Sequence, residues 1–189
     1  LRVLVHRDLN EHIKNHLTSL FDMTPRGARY LLIVPTAIVL ALFIVVPMVL
    51  PYGKVVGLTG VPLIMDNWNI WSELDPVSAI TYGFGDILCH QESDRSFLIN
   101  GSQMPVCVRD TFIISGFLLG MSTFLVSRRG LAVRSVVIAV AVASALLFLD
   151  HTVQMVFGLN VPSTRAVTGL VFGFAISMVV ECWFQYHER

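Results

Sequence analysis

The stretch YLLIVPTAIVLALFIVVPMVLP, from Tyr30 to Pro51, contains no charged residue. Its 22 residues can cross the hydrocarbon core of a bilayer as an α-helix, which needs about 20 apolar residues. The whole composition agrees, because 54% of the 189 residues are hydrophobic and only 14% are charged. Soluble domains carry roughly 25% charged residues. The stretch therefore predicts a membrane protein.

Three further apolar runs follow, at about residues 111–127, 130–149 and 166–184. Each is long enough, or nearly so, to span a bilayer. With the first run at 30–51, they predict an all-α membrane protein of four transmembrane helices. We assign residues 30–189 to one membrane domain.

Residues 1–29 form a separate N-terminal segment in this prediction. Within 8–23, apolar residues recur at three- and four-residue spacing, which indicates an amphipathic helix: Leu9, Ile13, Leu17, Leu20 and Phe21. Such a helix would lie on the membrane, on a partner subunit or on its own bundle. Residues 1–10 show no signal-peptide pattern. The formal net charge of zero argues against a nucleic-acid partner and leaves the lipid bilayer as the expected environment.

The distribution of lysine and arginine predicts the orientation through the positive-inside rule. Nine of the 13 fall on one side of the predicted membrane: Arg2, Arg7, Lys14, Arg26, Arg29, Arg128, Arg129, Arg134 and Arg189. The other four are Lys54, Arg95, Arg109 and Arg165. We therefore expect a multi-pass protein of the cell membrane with both termini cytoplasmic and residues 52–110 extracytoplasmic.

The segment 52–110 reads as a long ordered loop rather than a disordered one, because it is rich in Trp, Ile, Leu and Phe. Asp75-Pro76 is a helix-start signal and predicts a short helix over 76–90. Trp68 and Trp71 are expected near the membrane interface or at a contact surface.

The loop and the third and fourth spans carry a recognisable pattern. Its first block is Cys89-His90-Gln91, Arg95-Ser96-Phe97, Gly101, Pro105-Val106-Cys107 and Arg109. Its second block is Asp150, Gln154, Gly158, Ser163, Arg165, Thr168-Gly169 and Gly173. These residues resemble the signature, CHQ…RSF…PVCxR, of an uncharacterised family of predicted archaeal and bacterial membrane proteins. The resemblance implies a membrane fold and a shared site, but no activity.

Cys89 and Cys107 admit three interpretations. On the oxidising side of the membrane they would form a disulfide that stabilises the loop by roughly 3 kcal/mol. Alternatively, a metal such as zinc or copper would bind to thiolate, imidazole and carboxylate ligands; the candidates are Cys89, His90, Cys107, Asp110 and His151. Met104 and Met155 would favour copper(I). A third interpretation is a nucleophilic Cys89 assisted by His151.

The arginines of the pattern suggest an anion site. The guanidinium groups of Arg95, Arg109 and Arg165 suit phosphate or carboxylate, although ion pairs with Asp94, Asp110 and Asp150 would also explain them. Because Asp150 and Gln154 are four residues apart, they share one helix face.

Two functional hypotheses follow from these residues. We favour a non-catalytic subunit of a larger membrane complex, which binds other membrane proteins. The alternative is a metal-dependent membrane enzyme that acts on a lipid or small molecule at the outer face. A transporter is less favoured, because we expect no charge pair within the spans and see no internal repeat. A closed disulfide with fully paired arginines would favour the first hypothesis. An open ligand set or an unoccupied basic pocket would favour the second.

Overall fold

The protein was examined as a computed structural model, which describes residues 25–127 and 130–187. This part of the chain contains six helices: α1 (Pro25–Val49), α2 (Trp68–Trp71), α3 (Pro76–Leu88), α4 (Val108–Val126), α5 (Val133–Phe157) and α6 (Pro162–His187). A 3₁₀ turn at Ser93–Arg95 and a hairpin of β1 (Leu98–Ile99) and β2 (Ser102–Gln103) complete the fold. The amphipathic helix predicted over 8–23 lies outside the described residues.

Four helices, α1, α4, α5 and α6, are long and apolar enough to cross a membrane. The prediction of an all-α membrane protein with four spans is therefore confirmed. The third span was predicted to end near residue 149, but α5 continues to Phe157. It continues because Asp150 and Gln154 find polar partners, and it ends where Gly158 adopts a left-handed φ of 61°.

The closest contact in the bundle joins α4 and α6. A Cβ atom on Gly173 would lie 1.9 Å from the carbonyl oxygen of Ile113, and one on Gly116 would lie 2.1 Å from that of Leu170. Gly169 meets the carbonyl oxygen of Arg109 in the same way, whereas Gly120 lies against the side chain of Ser177. The glycines are spaced four residues apart on each helix, the small-residue pattern that lets membrane helices approach closely. Because the contacts advance in the same direction along both chains, α4 and α6 run parallel.

A buried ion pair connects α1 and α6 at the end of the bundle where α1 begins. Arg29 donates to both carboxylate oxygens of Glu181, from Nε at 2.8 Å and from Nη2 at 2.9 Å. The expectation that the spans hold no charge pair was therefore wrong. Arg29 was placed ahead of the first span, but α1 begins at Pro25 and includes it. The bidentate geometry satisfies two charges that could not lie separately in an apolar bundle.

The other end of the bundle carries the segment between α1 and α4, which we call the loop cap (residues 50–107). It is ordered because its apolar side chains pack on the C-terminal end of α1 in one buried cluster: Val46, Leu50, Val55, Leu58, Trp71 and Tyr82. The rings of Trp71 and Tyr82 stack at 5.2 Å. Trp71 is fully buried and therefore provides no contact surface, whereas Trp68 is exposed.

The predicted short helix is present as α3. Asp75 caps it by accepting hydrogen bonds from the backbone N–H groups of Val77 and Ser78, both at 3.1 Å. A hydrogen bond with the Ser78 side chain lowers the pKa of the Asp75 carboxyl most, and these backbone bonds lower it further. The helix ends at Leu88, and Cys89 follows in extended conformation.

Buried polar side chains determine how the loop cap folds. The carboxylate of Asp86 accepts from Trp71 Nε1 at 2.9 Å and from the backbone N–H of Asn67 at 3.0 Å. The side chain of Gln91 donates to the carbonyl oxygen of Pro105 at 2.8 Å. Gly85 lies against the same proline, since a Cβ there would be 2.2 Å from its oxygen. Gln91, a residue of the sequence pattern, therefore joins the two cysteine-bearing segments.

Replacement of Gly173 by leucine tests the contact between α4 and α6. The new side chain would clash with the α4 backbone, which cannot move without separating the two helices. We therefore expect the free energy of unfolding to fall by about 1–3 kcal/mol. Thermal unfolding of the protein in detergent measures the effect. Gly130→Leu is the control, since nothing lies within 4 Å of a Cβ at that glycine. Equal unfolding temperatures for the two variants would contradict the packing described here.

Candidate functional site

A cavity of about 400 Å³ lies between the loop cap and the adjacent ends of α4, α5 and α6. We call it the motif cavity, because most of the predicted site residues line it. Its polar and sulfur-containing lining is Cys89, His90, Glu92, Arg95, Cys107, Arg109, Asp110, His151, Gln154, Met155 and Arg165. Pro62 and Leu88 supply apolar wall. Among the polar and sulfur-containing residues, the structure thus brings together positions as far apart in the sequence as Cys89 and Arg165.

Two helix ends place the cysteines next to each other. Cys89 immediately follows α3, and Cys107 is the N-cap of α4. The backbone N–H of Cys107 donates to the sulfur of Cys89 at 3.3 Å, and the Cys107 thiol donates to Oδ2 of Asp110 at 3.1 Å. One ligand atom from each of Cys89, Cys107 and Asp110 lies within 4.8 Å of the others. We call these three residues the ligand group.

Both cysteines are free thiols in this structure, so the predicted disulfide is not confirmed. The pKa of the Cys89 thiol is raised above its ordinary value, first by its interaction with the Cys107 side chain and then by burial. The negative charge of Asp110 acts in the same direction. Without a metal, Cys89 therefore remains a neutral thiol, which does not favour the hypothesis that it is a nucleophile.

The two histidines line the motif cavity but do not join the ligand group. His90 is exposed, although it directly follows Cys89. The Nδ1 atom of His151 lies 3.2 Å from Nη1 of Arg109. Met155 lines the cavity, whereas Met104 is buried beside Cys89 in the apolar core of the loop cap. Of the five predicted metal ligands, the structure gathers three.

Arg109 is held by the α5 residues that were expected to share a face. Its Nη2 donates to Oδ2 of Asp150 at 2.7 Å, and Gln154 donates to the other oxygen of Asp150 at 2.7 Å. Gln154 also donates to Thr164 and accepts from the backbone N–H of Val161. This network ties the start of α4 to the turn between α5 and α6.

The three arginines differ in their partners. Arg109 pairs with Asp150, as one interpretation of the sequence required. Arg95 lies 2.8 Å from Glu92 and only 4.0 Å from Asp94, so its main partner is Glu92. Arg165 is 4% exposed, and its Nη1 atom has no hydrogen-bond partner among the described residues. Glu92 was missed in the sequence, although its i,i+3 spacing from Arg95 is a pairing signal.

A model of the family described as "Predicted membrane protein (DUF2085)" matches residues 89–179. The match begins at Cys89 and ends within α6, and thus includes the ligand group and all three arginines. The resemblance to an uncharacterised family of predicted membrane proteins is therefore confirmed. No curated protein and no solved structure matches the chain.

The raised pKa of Cys89 predicts slow alkylation. In the folded, metal-free protein, iodoacetamide should modify Cys89 more slowly than an ordinary thiol at pH 8, because less of it is thiolate. The rate should still rise above pH 9, where an ordinary thiol approaches full ionisation. Peptide-resolved mass spectrometry measures the rate, and the same chain unfolded in detergent and urea is the control. A folded rate that levels off near the unfolded pKa would contradict this prediction.

Proposed function

We propose that this protein binds a thiol-preferring metal ion in the motif cavity and is a metal-dependent membrane enzyme that acts on a small molecule or lipid. The observation that supports this proposal most is the ligand group itself: two sulfur atoms and a carboxylate oxygen within 4.8 Å of one another on the wall of an accessible cavity. Zinc and copper(I) are the ions that such ligands prefer.

The ligand group has the composition of a site with an open position. Three protein ligands leave the fourth position of a tetrahedral ion to water or substrate, which is the usual arrangement of catalytic zinc. A bound ion would draw the protons from both thiols, and it would replace the hydrogen bond between Cys107 and Asp110. His90 and His151, on the same cavity wall, are available as proton carriers.

The hypothesis of a non-catalytic subunit is less well supported by this geometry. A closed disulfide with fully paired arginines would have favoured it, whereas the cysteines are free and Arg165 lacks an ion pair within residues 25–127 and 130–187. Partner proteins remain a prediction from sequence.

We also propose that the motif cavity faces the extracytoplasmic side and that both termini are cytoplasmic. The helix order places the cavity opposite the buried pair of Arg29 and Glu181. The nine-to-four excess of lysine and arginine on the side of that pair supports this orientation.

Metal loading of cysteine variants tests the proposed function. The purified protein in detergent is reduced, incubated with Zn²⁺ and freed of excess metal by gel filtration, and its metal content is measured by elemental mass spectrometry. We expect about one zinc per chain in the wild type and less than about a tenth of that in Cys107→Ser, which loses a thiolate ligand. Cys182→Ser is the matched control, because Cys182 lies near the far end of α6 and outside the motif cavity.

Asp110→Asn provides a second variant that preserves side-chain shape while weakening a ligand. Its zinc content should also fall, with an unfolding temperature close to that of the wild type in the absence of metal. Equal zinc in Cys107→Ser and Cys182→Ser would refute the proposal. So would an intact mass of the native protein that is two hydrogen atoms lower than that of the reduced chain, with no metal, since a Cys89–Cys107 disulfide would then occupy both thiols.

A further inference from the structure

Arg165 is a buried cation without a counterion in the described part of the chain. It lies in the first turns of α6, is 4% exposed and lines the motif cavity. An arginine side chain cannot lose its proton in a protein, and a buried charge is costly unless it is paired. Within the described residues, its Nη1 atom finds no hydrogen-bond acceptor. The remaining place for an acceptor is the cavity.

Two neighbouring arginines offer further unused N–H groups. The Nε atoms of Arg95 and Arg109 are also buried without a hydrogen-bond partner among the described residues. Arg95 Nε lies 2.8 Å from Glu92, but its N–H is not aligned on that oxygen. The three N–H groups come from a 3₁₀ turn, from α4 and from α6, and all three side chains line one cavity.

The carboxylates around the cavity already have partners. Glu92 pairs with Arg95, Asp150 accepts from Arg109 and Gln154, and Asp110 accepts from the Cys107 thiol. Asp94 is exposed and 4.0 Å from Arg95. Among the described residues, Asp94 is the acid whose charge favours the Arg165 cation, but it is exposed and no ion pair joins the two. A negatively charged ligand in the cavity would supply a closer partner.

We infer that the motif cavity binds a phosphate group, with Arg165 as its principal contact. Arginine forks match phosphate oxygens, and charge-assisted bonds of this kind are the strong ones. Inorganic phosphate and a phosphate monoester have at least three terminal oxygens, enough to accept from three arginines on separate segments, whereas a carboxylate has two. The group is carried either by a lipid headgroup, since the cavity lies where the spans end, or by a soluble phosphate compound that fits about 400 Å³.

This inference deepens the proposed function by naming a substrate class, and it rests on that proposal for the shared cavity. Its evidence is nevertheless separate. The phosphate would contact arginines, whereas the metal would bind to the ligand group. Phosphate binding measured after removal of metals with EDTA therefore tests the inference even if zinc loading fails.

The experiment is thermal unfolding of the delipidated, EDTA-treated protein in detergent, with three additives at constant ionic strength. These are inorganic phosphate in the millimolar range, phosphatidic acid in mixed micelles, and diacylglycerol as the lipid control that lacks phosphate. We expect phosphate-bearing additives to raise the unfolding temperature of the wild type, because a ligand that binds only the folded state stabilises it. Arg165→Gln should require at least about tenfold more additive for the same rise, the loss expected for a charge-assisted contact.

Arg134→Gln is the matched control, since Arg134 is exposed near the start of α5, away from the cavity. It should respond like the wild type. Should Arg165→Gln fail to fold, Arg165→Lys keeps the charge but loses the fork. It should retain the unfolding temperature without additive and respond more weakly than the wild type.

A response to phosphatidic acid but not to inorganic phosphate would identify a lipid headgroup, and the reverse a soluble compound. Both results support the inference. It would be overturned by a wild type that responds to neither, by an equal response to diacylglycerol, or by an Arg165 variant that responds like Arg134→Gln. The Cys107→Ser variant, which loses a proposed metal ligand, should keep the phosphate response. That result would support an anion site that is separate from the metal site.

Discussion

The backbone contact between α4 and α6 is the constraint on which the motif cavity depends. Glycines bring the two parallel helices so close that a Cβ on Gly169 would lie 2.6 Å from the carbonyl oxygen of Arg109. Because the helices start at the same end of the bundle, this contact places Cys107 and Asp110 on the first turn of one helix near Arg165 on the other. The loop cap then adds Cys89, which Gln91 and Gly85 hold against the Pro105 segment. The site is thus assembled from helix starts and a helix end.

The two ends of the bundle differ in whether their buried arginines have ion-pair partners. At one end, Arg29 and Glu181 satisfy each other in a bidentate pair, which is how an apolar bundle usually accommodates charge. At the other end, Arg109 is paired, but Arg165 has no ion pair within the described residues, although both are largely buried. A buried cation without an ion pair lowers stability, and unsatisfied groups of this kind concentrate at functional sites. This asymmetry supports the proposal of a functional site in the motif cavity, independently of the cysteines.

Periodicity and length predicted the elements that depend on local sequence. Four spans and the capped helix after Asp75 followed from uncharged runs and an Asp-Pro signal, and both are present. Contacts between residues distant in the sequence were harder to predict, because a hydrophobic pattern does not reveal which polar groups contact each other in the fold. The approach of Cys89 to Cys107 was expected from their pattern, whereas the burial of Trp71 on Asp86 and the pair of Arg29 with Glu181 depend on tertiary packing. That the Nη1 atom of Arg165 finds no hydrogen-bond partner among the described residues is likewise visible only in the folded structure.

The two proposals assign the thiols and the cations of the cavity to different ligands. The Cys89 thiol stays protonated in the metal-free protein because Cys107, burial and Asp110 all raise its pKa. A metal ion would reverse this balance by stabilising the thiolates that a neutral site disfavours. Those thiolates would then lie near three arginines, whose charge favours a negative ligand set. A phosphate held by Arg165 would occupy the same cavity as the ion, and polarisation of a phosphoryl oxygen by a metal is an established catalytic effect. Metal and anion would therefore stabilise each other across one cavity, which neither the cysteines nor the arginines could achieve alone.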